Sequence, residues 1–209
     1  MFTDKPPEAK DRADYLESDR INTLDLPQDA RLLSEIAKKV EAAMQTGNTT
    51  EVRVACAEFL SEASRFYQVP KCGVRVLEAR PLKGREWVTE LFGDYQPTTM
   101  LIRLWMRTAR KKEITSYGTF LSTLCHEFCH HLDYHLFKFS DSWHTRGFYE
   151  RTAVLYPPWS AENGSEGRKE SRDREDLDGT TQECSHGIYR RLQGQKSDGG
   201  GSTSTVGLG

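Results

Sequence analysis

The sequence has no long hydrophobic run, and no stretch approaches the roughly 20 consecutive apolar residues that a membrane helix requires. Its first twenty residues, MFTDKPPEAKDRADYLESDR, lack the apolar core of a signal peptide, so we expect a cytoplasmic location. The formal net charge is only -2, which gives no chain-wide reason to expect nucleic acid or an anionic membrane as partner. These absences favour a soluble folded protein with no membrane partner.

Cysteine is scarce and scattered. The five cysteines are odd in number and widely spaced, which is unlike a disulfide framework. Cys125 and Cys129 are four residues apart, but no second close pair exists to complete a zinc ribbon. We therefore interpret the cysteines mainly as small buried hydrophobic residues. They are Cys56, Cys72, Cys125, Cys129 and Cys184.

With 209 residues, of which 36% are hydrophobic and 29% charged, the chain is long enough for one good core. Residues 1–21 have too few apolar groups to fold alone, which predicts a flexible lead-in. Residues 22–159 carry the regular patterns and form the predicted domain. Residues 160–209 are rich in Gly, Ser and charged side chains and end in GGGSTSTVGLG, so we expect a disordered polar tail.

Hydrophobic periodicity predicts an α+β domain. Apolar residues recur at helical spacing after Pro27, and again from near Thr50 to Phe66. Short strands are predicted around residues 74–77 and at Trp87–Phe92, the second closed by a turn at Gly93, Asp94 and Pro97. The best strand is TMLIRLWMRTA, in which Ile102, Leu104 and Met106 share one face. A long helix follows over residues 116–139, then a loop and a helix near residues 148–156.

The long helix contains His126-Glu127-Phe128-Cys129-His130, an H-E-x-x-H pattern. At about 100° per residue, His126 and His130 lie about 40° apart and one turn along the helix, so both imidazoles can reach one ion. Glu127 lies beside them, where it can contact a metal-bound water without ligating the metal. Zinc lowers the pKa of such a water towards about 7, and the carboxylate can accept its proton. The motif predicts a zinc peptidase; a surface helix rich in histidines is the alternative.

Catalytic zinc needs a third protein ligand. His131 and His135 lie about 140° and 180° from His126 around the helix, so both should point away from the metal, in partly exposed or capping roles. Asp133 returns to the ligand face one turn beyond, where it either orients a ligand histidine or pairs with an arginine. His144 is the preferred third ligand because it lies in the loop after the helix, which can fold the chain back over the metal, and Gly147 permits a tight approach to the next helix. Glu150 is the runner-up.

At these residues the chain resembles the SprT-like zincin family of metallopeptidases. The resemblance covers roughly residues 50–157 and is carried by the strand TMLIRLWMRTA, the helix segment TLCHEFCHHLDYH and the following HTRGFYER. His144 and Phe148 match the family's H-G-x-x-F-type segment, whereas Thr145 replaces its first glycine. The resemblance implies Zn²⁺ on His126, His130 and His144, with Glu127 as general base.

The resemblance also implies a zincin-like fold, with helices packed on a small antiparallel sheet. Its edge strand, TMLIRLWMRTA or the strand next to it, would bind an extended polypeptide substrate by strand addition. Some members of the wider family cleave proteins crosslinked to DNA, often with a separate zinc ribbon; here the tail offers only Cys184 and His186. A local basic ridge could still meet phosphates, although a solvated strand end is the simpler interpretation. It comprises Arg103, Arg107, Arg110, Lys111 and Lys112.

Three tyrosines are candidates to stabilise an oxyanion: Tyr134, Tyr149 and Tyr156, the last two better placed because they lie near His144. Packing is the simpler role for each of them. Two other functional classes compete with the peptidase. One is a regulatory protein that keeps the metal but does not hydrolyse, and the other is a DNA-associated protease.

Overall fold

The computed structural model describes residues 3–27, 31–79 and 92–156. Five helices and three strands are found in these ranges, which confirms the α+β class. They are α1 (Arg12–Arg20), α2 (Arg31–Thr46), α3 (Thr49–Phe66), β1 (Gly73–Ala79), β2 (Gly93–Gln96), β3 (Leu101–Arg107), α4 (Tyr117–His135) and α5 (Arg146–Leu155). None of the described helices is both long and apolar enough to cross a membrane. The strand expected at residues 87–91 and the tail expected at 160–209 lie outside the described ranges.

The junction between α2 and α3 follows from local chemistry. Gly47 separates the two helices with a φ of 70°, a left-handed conformation that glycine adopts without a Cβ penalty. The Asn48 side chain then caps α3 by accepting hydrogen bonds from the backbone N–H groups of Thr50 and Glu51. Both helices bury one apolar face in the main core, which includes Ile36, Val40, Cys56, Phe59 and Leu60.

The sheet is mixed, so the antiparallel sheet that the family resemblance implied is wrong. Its strand order is β1-β3-β2. β2 and β3 are joined by a short turn and are antiparallel, whereas β1, which precedes β2 in the chain, pairs with the other side of β3 and runs parallel to it. β3 is therefore the central strand and cannot offer an open edge. Its predicted alternation is confirmed, because Ile102, Leu104 and Met106 are fully buried.

β2 replaces the turn that was predicted at its first two residues. Asp94 pairs directly with Arg103 of β3, whose Nε donates to its carboxylate at 2.7 Å, so the buried charge is compensated across the strands. Gly93 lies where a Cβ would collide with Thr123 and Glu127 of α4. Gly93 and Asp94 are common turn residues, but here the ion pair and the close packing of β2 on α4 hold them in a strand.

Helix α4 is the centre of the domain. The Ser116 hydroxyl accepts a hydrogen bond from the Thr119 N–H at 3.2 Å and caps its N-terminus, as a start at Ser116 predicts. The helix ends at His135, earlier than the predicted residue 139, because the chain turns sharply at Lys138, whose φ is 60°. Apolar residues of α4, among them Leu121 and Phe128, face the main core and leave the H-E-x-x-H side for the site.

The described part of the predicted flexible lead-in is in contact with the rest of the domain. Residues 3–21, called the N-terminal arm below, contain α1 and pack on α5 and on the loop that precedes it. The buried ring of Tyr15 lies edge-on to Trp143, with ring centroids 5.9 Å apart, and Phe139 joins this small cluster. The sequence alone did not indicate this packing because one aromatic and many polar contacts, rather than an apolar stripe, hold the arm.

The arm docks most closely on α5. Gly147 faces the last turn of α1, where a Cβ would collide with the backbone carbonyl oxygens of Ser18, Asp19 and Ile21. Arg151 lies one turn further along α5 and donates from Nη1 to the carbonyl oxygens of Ser18, at 2.7 Å, and Ile21. Gly147 therefore permits the tight approach that its position in the sequence suggested, and the neighbour it admits is α1.

Candidate metal centre

Three histidines converge on one point. His126 and His130 project from one face of α4, and His144 comes from the loop between α4 and α5. The Nε2 atom of His144 lies 3.2 Å from the Nε2 of His126 and 3.2 Å from the Nε2 of His130. The three residues are only 6%, 2% and 5% exposed, respectively. Within the described ranges, this is the set of His, Cys, Asp and Glu ligand atoms close enough to hold a metal ion.

The spacing of these nitrogens fits a metal. Nitrogen ligands about 2.0–2.1 Å from a tetrahedral ion lie about 3.3–3.4 Å from one another. The two measured separations of 3.2 Å are close to that value. The group can therefore hold a small metal ion without a large movement of any side chain.

A buried hydrogen-bond chain fixes the His130 ring. The Ser142 hydroxyl donates to Asp133 Oδ2 at 2.7 Å, so it must accept from Nδ1–H of His130, also at 2.7 Å. The other carboxylate oxygen of Asp133 accepts from Arg151 Nη2 at 2.8 Å. Asp133 thus fills both of the roles proposed from the sequence. Because Nδ1 carries the proton, the lone pair of His130 is on Nε2 and faces the centre.

His144 is fixed in the same way by the N-terminal arm. Asp4 Oδ2 lies 3.3 Å from His144 Nδ1 and 2.9 Å from the backbone N–H of the same residue. A carboxylate there assigns the ring proton to Nδ1, which leaves a lone pair on Nε2. With both ring protons on Nδ1, the Nε2 lone pairs of His130 and His144 face each other, an arrangement that a bound cation would stabilise.

Glu127 is the fourth residue of the predicted site. It is fully buried, and neither carboxylate oxygen has a well-formed hydrogen bond to the described residues. Burial, and then the charge of Asp94, raises the pKa of Glu127 well above its usual range; the backbone N–H of Tyr95 offsets only part of this. A buried carboxyl group left in this state is unfavourable for stability alone and is typical of a functional position.

The other residues considered as ligands, including the runner-up Glu150, lie away from the three histidines. His131 points away as predicted, but it is fully buried rather than partly exposed. Its Nδ1 lies 2.8 Å from the Tyr95 hydroxyl and its Nε2 lies 2.9 Å from the carbonyl oxygen of Pro70. His135 is partly exposed in the last turn of α4. Glu150 lies on α5, where its carboxylate is 3.9 Å from Arg146 Nε, and does not join the histidines.

The three tyrosines considered as oxyanion donors differ in their position relative to the histidines. Tyr149 lies beside the centre, with its ring centroid 6.3 Å from that of His126 and 5.8 Å from that of His144. Tyr134 instead donates to Asp141 at 2.7 Å. Tyr156 directs its hydroxyl towards Gly118 at the start of α4. Of the three candidates, only Tyr149 is near enough to contact a molecule bound at the centre.

The basic ridge is partly neutralised. Arg103 pairs with the buried carboxylate of Asp94, and Arg107 Nε donates to Glu78 at 2.7 Å. Arg107 also donates to the backbone carbonyl of Lys112. Two of the five predicted phosphate-binding cations are therefore already engaged within the protein, which favours the solvated strand end over a DNA contact.

The described cysteines behave as predicted. All four cysteines in the described residues are buried free thiols, and burial raises the pKa of Cys56, Cys72 and Cys129 to about 12. None belongs to the histidine group. Cys184, and His186 with it, lie outside the described residues.

Sequence reasoning missed two residues of this centre, Asp4 and Ser142. Asp4 lies in a charged, proline-containing segment that carries no periodic signal, and Ser142 is one of several small polar residues in the 140–145 loop. Spacing along a helix could reveal neither. Comparison of the chain with protein-family models, with curated proteins and with solved structures found no match.

Proposed function

We propose that the protein is a zinc-dependent metallopeptidase with a zincin-like active site. The observation that carries the proposal is the convergence of the Nε2 atoms of His126, His130 and His144, next to the buried carboxyl group of Glu127 on the same helix as the first two. Imidazole ligands suit zinc, and a set of three leaves one position for a water or substrate, whereas structural zinc sites are usually closed by four protein ligands.

The residues of the chain divide the work of peptide hydrolysis. The three histidines hold the ion, which when bound supplies Lewis acidity and an activated water. Glu127 accepts the proton of the attacking water and returns it to the leaving amine, which general acid–base catalysis requires of one group in two protonation states. The Tyr149 hydroxyl is the candidate donor to the developing oxyanion. Asp133, through Ser142, holds His130 in its ligating tautomer.

We propose β2 as the strand on which a polypeptide substrate docks. β3 is central and has a partner on each side, β1 and β2, and of these two outer strands β2 lies against α4. Gly93 of β2 packs directly on the side chain of Glu127. An extended peptide that pairs with β2 would therefore run beside the proposed general base.

One observation favours a second candidate function. His126, His130 and Glu127 are almost completely buried, which is typical of a closed metal site that stabilises a fold or a partner interface. A zinc-binding regulatory protein without hydrolytic activity would have the same ligand set. The two functions differ in whether Glu127 is needed for anything beyond packing.

The deciding experiment combines metal analysis with Glu127→Gln. Purified wild type should contain about one zinc per chain by plasma mass spectrometry, and Glu127→Gln should keep it because Glu127 is not a ligand. Cleavage of unfolded protein substrates should fall in the variant by about 10²–10⁴-fold. Glu150→Gln is the matched control, since that carboxylate lies on the surface of α5 in a long ion pair, and it should leave activity unchanged.

The outcomes separate the hypotheses. Wild type that takes up no zinc, even after metal is added back, refutes the metal site and the peptidase together. Zinc bound in both forms without cleavage by either supports the regulatory protein. Residual activity of Glu127→Gln equal to that of Glu150→Gln would show that another group is the base.

A further inference from the structure

We infer that the N-terminal arm is part of the metal centre: Asp4 is a positioning residue for His144, and docking of the arm is coupled to metal binding. The inference rests on the proposed metal site and goes beyond it, because it assigns a role to a segment distant in sequence from the ligands. The structural basis is a pair of residues 140 positions apart that contact each other through both backbone and side chain.

Asp4 holds His144 at three atoms. The Asp4 backbone N–H donates to the His144 carbonyl oxygen at 3.1 Å, and the His144 backbone N–H donates back to Asp4 Oδ2 at 2.9 Å. The same oxygen lies 3.3 Å from Nδ1 of the ring. One carboxylate oxygen thus fixes both the position of the loop backbone and the tautomer of the ligand. Carboxylates behind ligating histidines typically raise metal affinity in this way.

The rest of the arm keeps Asp4 in place. The Tyr15 hydroxyl donates to the Asp4 backbone carbonyl at 2.8 Å. Asp14 Oδ2 accepts the backbone N–H of Ser140 at 2.8 Å, and Asp19 Oδ1 accepts that of Arg146 at 3.0 Å. These contacts lie before and after His144 in the chain, so the arm spans the whole loop that carries the third ligand.

Linkage makes the coupling reciprocal. If the docked arm places His144 for metal binding, then bound metal must stabilise the docked arm by the same free energy. His130 provides an internal comparison, because the hydrogen bonds that orient its ring come from Ser142 and, through it, from Asp133. Loss of Asp4 should therefore weaken the bond from His144, one of the three ligands, and lower the zinc affinity of the site without abolishing binding.

The test measures zinc affinity by competition with a chromogenic chelator in the full chain. Asp4→Ala should weaken zinc binding by about 10–100-fold, and Asp4→Asn by less, since the amide oxygen still accepts a hydrogen bond. The visible spectrum of the cobalt-substituted protein should change in both variants, because it reports the ligand field directly. Asp14→Ala is the matched control: it removes an aspartate hydrogen bond of the same arm to the same loop, but one that does not touch His144.

A second readout tests the reciprocal effect. Zinc should slow hydrogen exchange of the α1 amides in wild type and in Asp14→Ala, and much less in Asp4→Ala. Equal zinc affinity of wild type and Asp4→Ala would overturn the inference and leave the proposed function intact. Equal weakening by Asp4→Ala and Asp14→Ala would overturn the positioning role, because general arm docking would then explain both. Failure of wild type to bind zinc would overturn the inference and the proposed function together.

Discussion

Arg151→Met is expected to be among the most damaging single substitutions outside the metal ligands. The guanidinium and its partner carboxylate on Asp133 both have fully buried side chains, with Nη2 and Oδ1 2.8 Å apart. The same guanidinium donates to two backbone carbonyls of the N-terminal arm and, at 3.1 Å, to the Ser18 hydroxyl. Methionine fills much of the volume but provides no donor to these groups.

The magnitude follows from what remains after the substitution. Asp133 would keep the hydrogen bond from Ser142 but lose its compensating charge, and breaking a buried ion pair on one side costs about 3–5 kcal/mol. The carbonyl oxygens of Ser18 and Ile21 would lose their donor as well. At about 2–4 °C per kcal/mol for a domain of this size, the melting temperature should fall by about 6–20 °C.

The assay is urea and thermal unfolding followed by circular dichroism, on wild type, Arg151→Met and the double variant Arg151→Met/Asp133→Leu. The double variant removes both charges, so it should regain most of the lost stability. It should nevertheless bind zinc more weakly, because His130 no longer has a carboxylate behind Ser142. A loss below about 1 kcal/mol in Arg151→Met, or no recovery in the double variant, would refute the argument from an uncompensated buried charge.

Three further predictions concern other parts of the fold. Gly147→Ala should detach the N-terminal arm, because the new methyl group would collide with three backbone carbonyls of α1; limited proteolysis should then cut the arm faster than in wild type, and an unchanged rate would contradict the docking. Burial lowers the pKa of His131 to about 4, so His131 stays neutral in the fold while the unfolded chain takes up a proton below about pH 6.5. Stability should therefore fall by up to about 3 kcal/mol between pH 6.5 and 4, and His131→Gln should flatten that slope in urea titrations; an identical slope would contradict it. Removal of metal with a chelator should lower the melting temperature of wild type but not of His144→Ala, measured by scanning fluorimetry, and equal shifts would argue against His144 as a ligand.

Helices α2 to α5 and the histidine group were accessible from the sequence because they depend on periodicity and helical spacing. Spacing on α4 places His126 and His130 one turn apart in any regular helix, and a loop histidine beyond the helix end was a natural third member. The apolar faces of α2 and α3 are equally local signals. Each of these features follows from residues within about twenty positions of one another in the chain.

The features that the sequence did not reveal depend on partners far apart. Gly93 and Asp94 have turn-like composition, and only the pairing of Asp94 with Arg103 makes them a strand. The burial of His131 requires Tyr95 and the Pro70 carbonyl, which a helical wheel cannot supply. The N-terminal arm is the largest such case, because its docking is mostly polar and leaves no apolar periodicity to detect.

The contact between Asp4 and His144 also determines when the centre can form during biosynthesis. Its two halves are 140 residues apart, so a ribosome adding about 5–20 residues per second makes the first half roughly 7–28 s before the second. The nascent chain therefore holds Asp4 without its partner while the whole sheet and α4 are synthesised. Since contacts of long sequence separation form slowly, the third ligand should be fixed among the last events of folding. Metal captured before His144 is in place would meet only His126 and His130, and the finished centre would be assembled around it when the N-terminal arm docks on the His144 loop.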